Sequence, residues 1–363
     1  MISDIQIENF KSIRKLDLEM KPINILIGSN GAGKSNFIGF FKFLKNIYDQ
    51  KLHNYVSEEG SSEDLLHFGS KISEYIKGRL EFKDSPVFKC GYEFVLKQSS
   101  VDNLYFDKEL ALIFNTELSS SPIPESLGAG HKESKLINQR YSSIGALMNS
   151  YMDSFRVFHF HDTGKTSKLR KPANINDNDF LREDGSNLPA FLYWMKEKYT
   201  KDFKKIEATI CSVAPFFEKF DLKPDNLNED IIRLRWKEKK SDAYFDAKHL
   251  SDGTLRFIAL TSLLLQPKEP GVIIIDEPEL GLHPFAINKL AGLIKKTSVH
   301  TQIIVSTQSV NLVDNFEPED IITVDREESQ SMFKRQNSDD LNNWLEDYSI
   351  GDLWNKNVIG GRP

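Results

Sequence analysis

The chain opens on MISDIQIENF, where apolar and polar residues alternate at strand spacing, and KLDLEM repeats that alternation shortly afterwards. PINILIG is apolar on both faces, which predicts a buried central strand. Residues 36–48, NFIGFFKFLKNIY, switch to helical spacing. Alternation returns from about 78 to 114 and predicts an antiparallel meander. Residues 116–135, rich in Ser, Pro and Gly, read as a mobile loop. The stretch 136–235 reads as largely helical, with DGSNLPAFLYWMKEKY its clearest amphipathic part, and IIRLRWKE with AYFDAKHL reads as a hairpin.

Beyond that point helices and strands alternate. DGTLRFIALTSLLL and HPFAINKLAGLIKKT have helical spacing, while GVIIID, TQIIVS and DIITVD are short apolar runs. Buried strands alternating with helices predict an α/β fold with a largely parallel sheet. Three segments follow: an N-terminal lobe (1–135), a mainly helical insertion (136–235) and a C-terminal lobe (236–363). The tail WLEDYSIGDLW predicts one docked amphipathic helix, and the GGRP beyond it reads as a surface for a partner.

Composition narrows the class. A 363-residue chain that is 39% hydrophobic and 28% charged can bury a real core. Its net charge of −6 argues against a protein that coats nucleic acid, although the clusters KTSKLRK (165–171) and KDFKK (201–205) leave DNA contact open. Cys90 and Cys211 have no metal or redox spacing and read as thiols in a reducing cytosol. With no secretory signal and no apolar run long enough to span a membrane, the expected location is cytoplasmic, without membrane contact.

GSNGAGKS (28–35) fits G-x-x-x-x-G-K-[ST] after a buried strand and before a helix. Gly28, Ser29, Asn30, Gly31, Ala32 and Gly33 would curl so that backbone N–H groups face a triphosphate, with Asn36 opening the helix. Lys34 would reach the β- and γ-phosphates and Ser35 would ligate Mg²⁺. VIIIDEPELGLHP (272–284) ends an aliphatic strand in two carboxylates. Asp276 suits the Mg²⁺ and Glu277 the attacking water. HLSDGTLRF (249–257) starts a helix with Ser251 and Gly253, a second place for an anion. In FHFHD, His159 and His161 share a face beside Asp162, and structural histidines are favoured over a metal site because no further ligand has a helpful spacing.

GSNGAGKS, LSDGT and DEPELGLHP, in this order around a long insertion, resemble the ABC-type ATPases of the SMC/RecF-like group. With IENFKSI, HFHDT, STQS and IGDLWNKNVIGGRP, the chain more narrowly resembles compact AAA-family ATPases of bacterial anti-phage defence loci, related to the ATPase half of overcoming-lysogenisation-defect nucleases. The resemblance implies an ABC-type P-loop NTPase head with a mixed, largely parallel sheet, an antiparallel β-subdomain and a helical inserted lid. It implies ATP and Mg²⁺ as ligands and slow ATP hydrolysis. It also implies a homodimer in which Ser251 and Gly253 of one chain meet the γ-phosphate held by another; the residues alone fit a cis or a trans arrangement. Asp252 stands where the signature usually has glycine, and its side chain is expected to turn outward, toward Arg256. Gln308 stands at the switch-histidine position, Lys11 and Ser12 near the nucleotide, and Leu282 and His283 along the dimer seam. No glutamine of a Q-loop stands out. The chain ends about fifty residues after STQS, which leaves no room for a fused nuclease and implies a separately encoded effector. The alternative is a RecF-like repair or recombination ATPase that binds DNA directly.

Overall fold

Strands β1 (Ile2–Phe10), β2 (Ile13–Glu19), β3 (Ile23–Ile27), β4 (Tyr75–Lys83), β5 (Phe88–Gln98) and β6 (Leu104–Asn115) form where apolar side chains alternate or run together, whereas β7 (Ile123–Gly128) is mostly exposed. This computed structural model describes residues 1–83, 88–100, 102–115, 122–139 and 143–362. All except β3 join one antiparallel sheet in the order β2-β1-β4-β5-β6-β7, so the predicted meander is present. The expected mobile loop is corrected in part. Residues 123–128 pair with β6 as an edge strand, where Pro124 is tolerated, and 116–121 lie outside the described residues.

The chain divides into two compact units, residues 1–155 with 317–363, and residues 156–316. In the first unit, β3 lies parallel to Ile321–Glu327, which pairs antiparallel with Gln330–Arg335. Helix α1 (Lys34–Tyr48) buries residues around most of its circumference. Phe40 and Phe43 pack on Phe10 and Phe94 of the antiparallel sheet, and Phe37 packs on Phe333 of the strand Gln330–Arg335. The helix is thus wedged between two layers of its unit.

The second unit contains the parallel pair Val272–Asp276 and Gln302–Thr307, with Phe155–Phe158 next in strand order. Helix Asp252–Leu264 is buried at every position from Leu255 to Leu264, with Arg256, Thr261 and Ser262 enclosed among its apolar residues. The stretch expected to be largely helical is mixed. Helices Leu188–Lys198 and Thr200–Val213 are accompanied by short polar strands such as Asn228–Ile232, which have too few residues to show a period. The expected hairpin forms between Arg235–Glu238 and Tyr244–Asp246. Among the described residues, no helix is long and apolar enough to cross a membrane.

The C-terminal reading also needs correction. The tail forms two helices, Ser338–Leu345 and Ile350–Asn355, separated where Ser349 caps the second. Beyond them, Ile359 and Gly361 are buried. The Gly361 N–H donates to the Asp325 carboxylate (2.8 Å), its carbonyl accepts from the Trp354 indole, and its Cα lies near Gly28. Gly360 and Gly361 both take left-handed φ values, 79° and 66°, which explains the glycine pair. Residues 359–361 are therefore part of this unit's core and not a free surface. Deleting residues 359–363 is expected to cost about 3 kcal/mol, from an orphaned indole and a lost buried isoleucine. Chemical denaturation reads this directly, and an unchanged midpoint would contradict the packing.

Candidate nucleotide site

In the first unit, β3 delivers the chain into residues 28–33, and α1 begins at Lys34. Gly33 has φ 122°, and a Cβ there would overlap the Ser331 hydroxyl, so only glycine fits. The first turn of α1 has no side-chain cap and no acidic residue. Its N–H groups and the positive end of its dipole are left for an anion. Lys34 is buried, and its ammonium donates to the carbonyls of Gly28 (2.6 Å) and Ser29 (3.0 Å), which holds the loop closed upon itself. Ser35 is exposed.

Ser12 belongs to this constellation. Its hydroxyl accepts from the Asn36 amide (2.6 Å) and lies 2.6 Å from the Ser331 hydroxyl, which donates to the Ala32 carbonyl (2.5 Å). Arg326 donates to Gly31 O (3.3 Å). Sequence reading missed Ser331 and Arg326, because nothing local marks a residue 299 positions from its partner. Lys11 is beside the loop in sequence, yet its ammonium pairs with Glu59 (2.5 Å). Lys11, Ser12, Glu59, Leu66, Phe68 and Arg326 line a cavity of about 320 Å³, and Phe68 is 56% exposed there.

In the second unit the strand Val272–Asp276 carries its carboxylates to its C-terminal end. Glu277 adopts φ 40°, an uncommon conformation for a side-chain-bearing residue and one found at functional sites. Its N–H donates to Ser306 O (2.8 Å), and its carboxylate accepts from the Gln308 amide. Gln308 is thus joined to Glu277. A third acid, Glu279, is buried and accepts from the Thr307 hydroxyl (2.6 Å) and the Gln308 N–H (3.1 Å). Burial pushes its carboxyl above the usual carboxylate range.

Ser251 caps the helix Asp252–Leu264, accepting from the Thr254 N–H (3.1 Å). A Cβ on Gly253 would overlap the Gly281 carbonyl oxygen, so this glycine lets the helix start and the 277–283 turn touch. Asp252 turns outward as expected, but its partner is corrected: it pairs with Arg170 (2.6 Å), not Arg256. The Arg170 side chain is only 7% exposed and also donates to the carbonyls of Thr163, Ala247 and Leu250. Arg256 is buried and donates to Phe160 O (2.9 Å) and His161 O (2.8 Å). Burial lowers its pKa, opposed by Asp252, Glu279 and Glu277. His161 Nε2 is 3.8 Å from Asp276 Oδ2, so the FHFHD stretch reaches the strand-end carboxylate. Leu282 is half-buried, His283 caps the next helix, and Leu280 and Phe285 are exposed (41% and 50%).

Comparison with known proteins agrees with this layout. The chain is 25% identical over 350 residues to the Old nuclease of Escherichia phage P2, covering 86% of this chain but 57% of that protein. It is also 24% identical over 261 residues to human ATP-binding cassette sub-family A member 10, covering 64% of this chain and 16% of that protein. The chain therefore spans little more than half of the first relative and a small part of the second. Among solved structures, an Smc head bound to the C-winged helix domain of ScpA matches with a TM-score of 0.61 at 16% identity, covering 92% of this chain and 96% of that one. An Smc head with an extended coiled coil bound to the C-terminal domain of ScpA, derived from Pyrococcus furiosus, matches with a TM-score of 0.57 at 15% identity, covering 95% and 98%. At these identities the likeness carries the fold alone, an SMC-head-like α/β fold. Residues 23–314 match the family described as AAA domain, putative AbiEii toxin, Type IV TA system. The chain belongs to that family of P-loop AAA-domain proteins and has an SMC-head-like fold.

Proposed function

We propose that this protein binds ATP between two copies of itself, hydrolyses it slowly, and uses the cycle to control a separately encoded effector, a nuclease, in cytoplasmic phage defence. The observation that carries the reading is the uncapped, acid-free start of α1 together with the buried Lys34. Residues 28–33 and Asn36 would wrap the triphosphate, with Lys34 exchanging its two carbonyl acceptors for phosphate oxygens. The cavity beside Ser12 has an aromatic wall, Phe68, on which a base could stack, and hydroxyl and charged groups of both signs around it. Ser35 offers an exposed hydroxyl and Asp276 a strand-end carboxylate, each an oxygen donor of the kind Mg²⁺ takes. A bound Mg²⁺ would offset charge on the phosphates.

Glu277 would take the proton from the attacking water, and Gln308 would hold its carboxylate in place while donating no net charge. That supports slow turnover. Glu277→Gln keeps the shape of this pair and removes the base. Nucleotide affinity should persist while turnover falls about 100-fold or more. The wild-type chain should hydrolyse ATP without cutting DNA in Mg²⁺ or Mn²⁺. Turnover at the wild-type rate in Glu277→Gln removes Glu277 from this role, and cleavage by the pure chain removes the separate effector.

Sharing of ATP between copies is supported by the signature's exposure. Ser251 lies at an exposed helix start, Arg170 neutralises the acid beside it, and the exposed Leu280 precedes Gly281, which touches Gly253 at that helix start. Ser251→Arg would block the helix start from a second copy's γ-phosphate. Sedimentation with a non-hydrolysable ATP analogue should show association of the wild type and monomers of the variant, with ATP binding retained. Loss of ATP binding by the folded monomeric variant would mean that Ser251 acts within its own chain.

A further inference from the structure

His159, His161 and Asp276 each offer a ligand atom, and these atoms lie within 4.8 Å of one another. Among the described residues searched, they are the grouping of three such side chains. The chain reaches this arrangement simply. Residues 159–161 follow directly on the strand Phe155–Phe158, with Phe160 buried between the half-buried His159 and His161. The imidazole rings are 6.0 Å apart with planes inclined by 31°. Arg256 fixes the backbone beneath them through the carbonyls of Phe160 and His161. Asp276 completes the set at the end of its strand, 3.8 Å from His161 Nε2.

We propose that these three residues form a binding site for a first-row divalent transition ion, of the Zn²⁺ or Co²⁺ type. Two imidazole nitrogens and one carboxylate favour such an ion over Mg²⁺, which prefers oxygen ligands and water. Bonds of about 2.1 Å hold ligand atoms at most about 4.2 Å apart, so the cluster contracts slightly when it takes the ion. All three side chains are only half-buried, which leaves them room to turn and leaves open coordination positions for water or a phosphate oxygen. The proposal goes beyond the ATPase reading, since ion binding here needs neither nucleotide nor the P-loop, although Asp276 serves in both.

The test uses the full chain without nucleotide. Titration with Co²⁺ should give one bound equivalent with visible absorption of a nitrogen-ligated ion, persisting in excess Mg²⁺. His159→Gln, His161→Gln and Asp276→Asn, each verified as folded by its melting curve without metal, should weaken binding at least about 10-fold, the floor for losing even an outer-shell partner. Zn²⁺ should raise the melting temperature of the wild type and displace Co²⁺. Absence of a nitrogen-ligated Co²⁺ spectrum in the wild type overturns the site. Undiminished binding in any folded variant overturns the three-ligand arrangement. Neither result bears on ATP binding, which is measured separately.

Discussion

The packing of α1 is the constraint on which the phosphate loop 28–33 depends. Phe10 and Phe94 on one side and Phe333 on the other hold a helix whose first turn must face whatever the loop 28–33 encloses. Aromatic burial of this kind is worth several kcal/mol per side chain, far more than the loop can supply through its own hydrogen bonds. The loop is therefore shaped by a helix that cannot shift. Ser12, Ser331 and Gly361 then close around it from distant parts of the chain, each in contact with a P-loop glycine or its neighbour.

In the second unit two buried guanidiniums do the corresponding work. Arg170 ties Asp252 to three backbone carbonyls, and Arg256 ties the 160–161 segment to the helix Asp252–Leu264. A buried guanidinium is costly unless its donors are used, and here carbonyl oxygens accept most of the hydrogen bonds. Each arginine thereby gives loops a fixed position that their own sequences do not encode. The left-handed Glu277 and its contact with Gln308 sit on this rigid base.

The sequence made the P-loop, the strand-end carboxylates and the helix beginning at Asp252 legible because each combines a local spacing with a local structural consequence. Gln308 lies directly after a buried strand, and its amide donates to the Glu277 carboxylate. The pairing of Asp252 was not legible. A partner four residues along the helix is the local expectation, whereas the actual partner is 82 residues away. His161 was judged by its sequence neighbours, which lack further ligands, and the fold supplied Asp276 from beyond them. Residues 123–128 carry a proline and mostly exposed positions, so nothing in their pattern separates an edge strand from a loop. GGRP followed the last apolar period and carried no core signal, yet the left-handed φ values of Gly360 and Gly361 let the chain turn so that the Gly361 N–H meets the Asp325 carboxylate.

The central claim is that α1 and its loop form an ATP site whose charge is supplied by Lys34. Equilibrium binding of Mg·ATP to the purified chain, compared with Lys34→Ala, tests it most directly. The wild type should bind one ATP per chain, and the variant should remain folded while losing about 10-fold or more in affinity, the scale of a charge-assisted hydrogen bond to phosphate. Equal affinity in the folded variant, or no ATP binding by the wild type, would contradict the account.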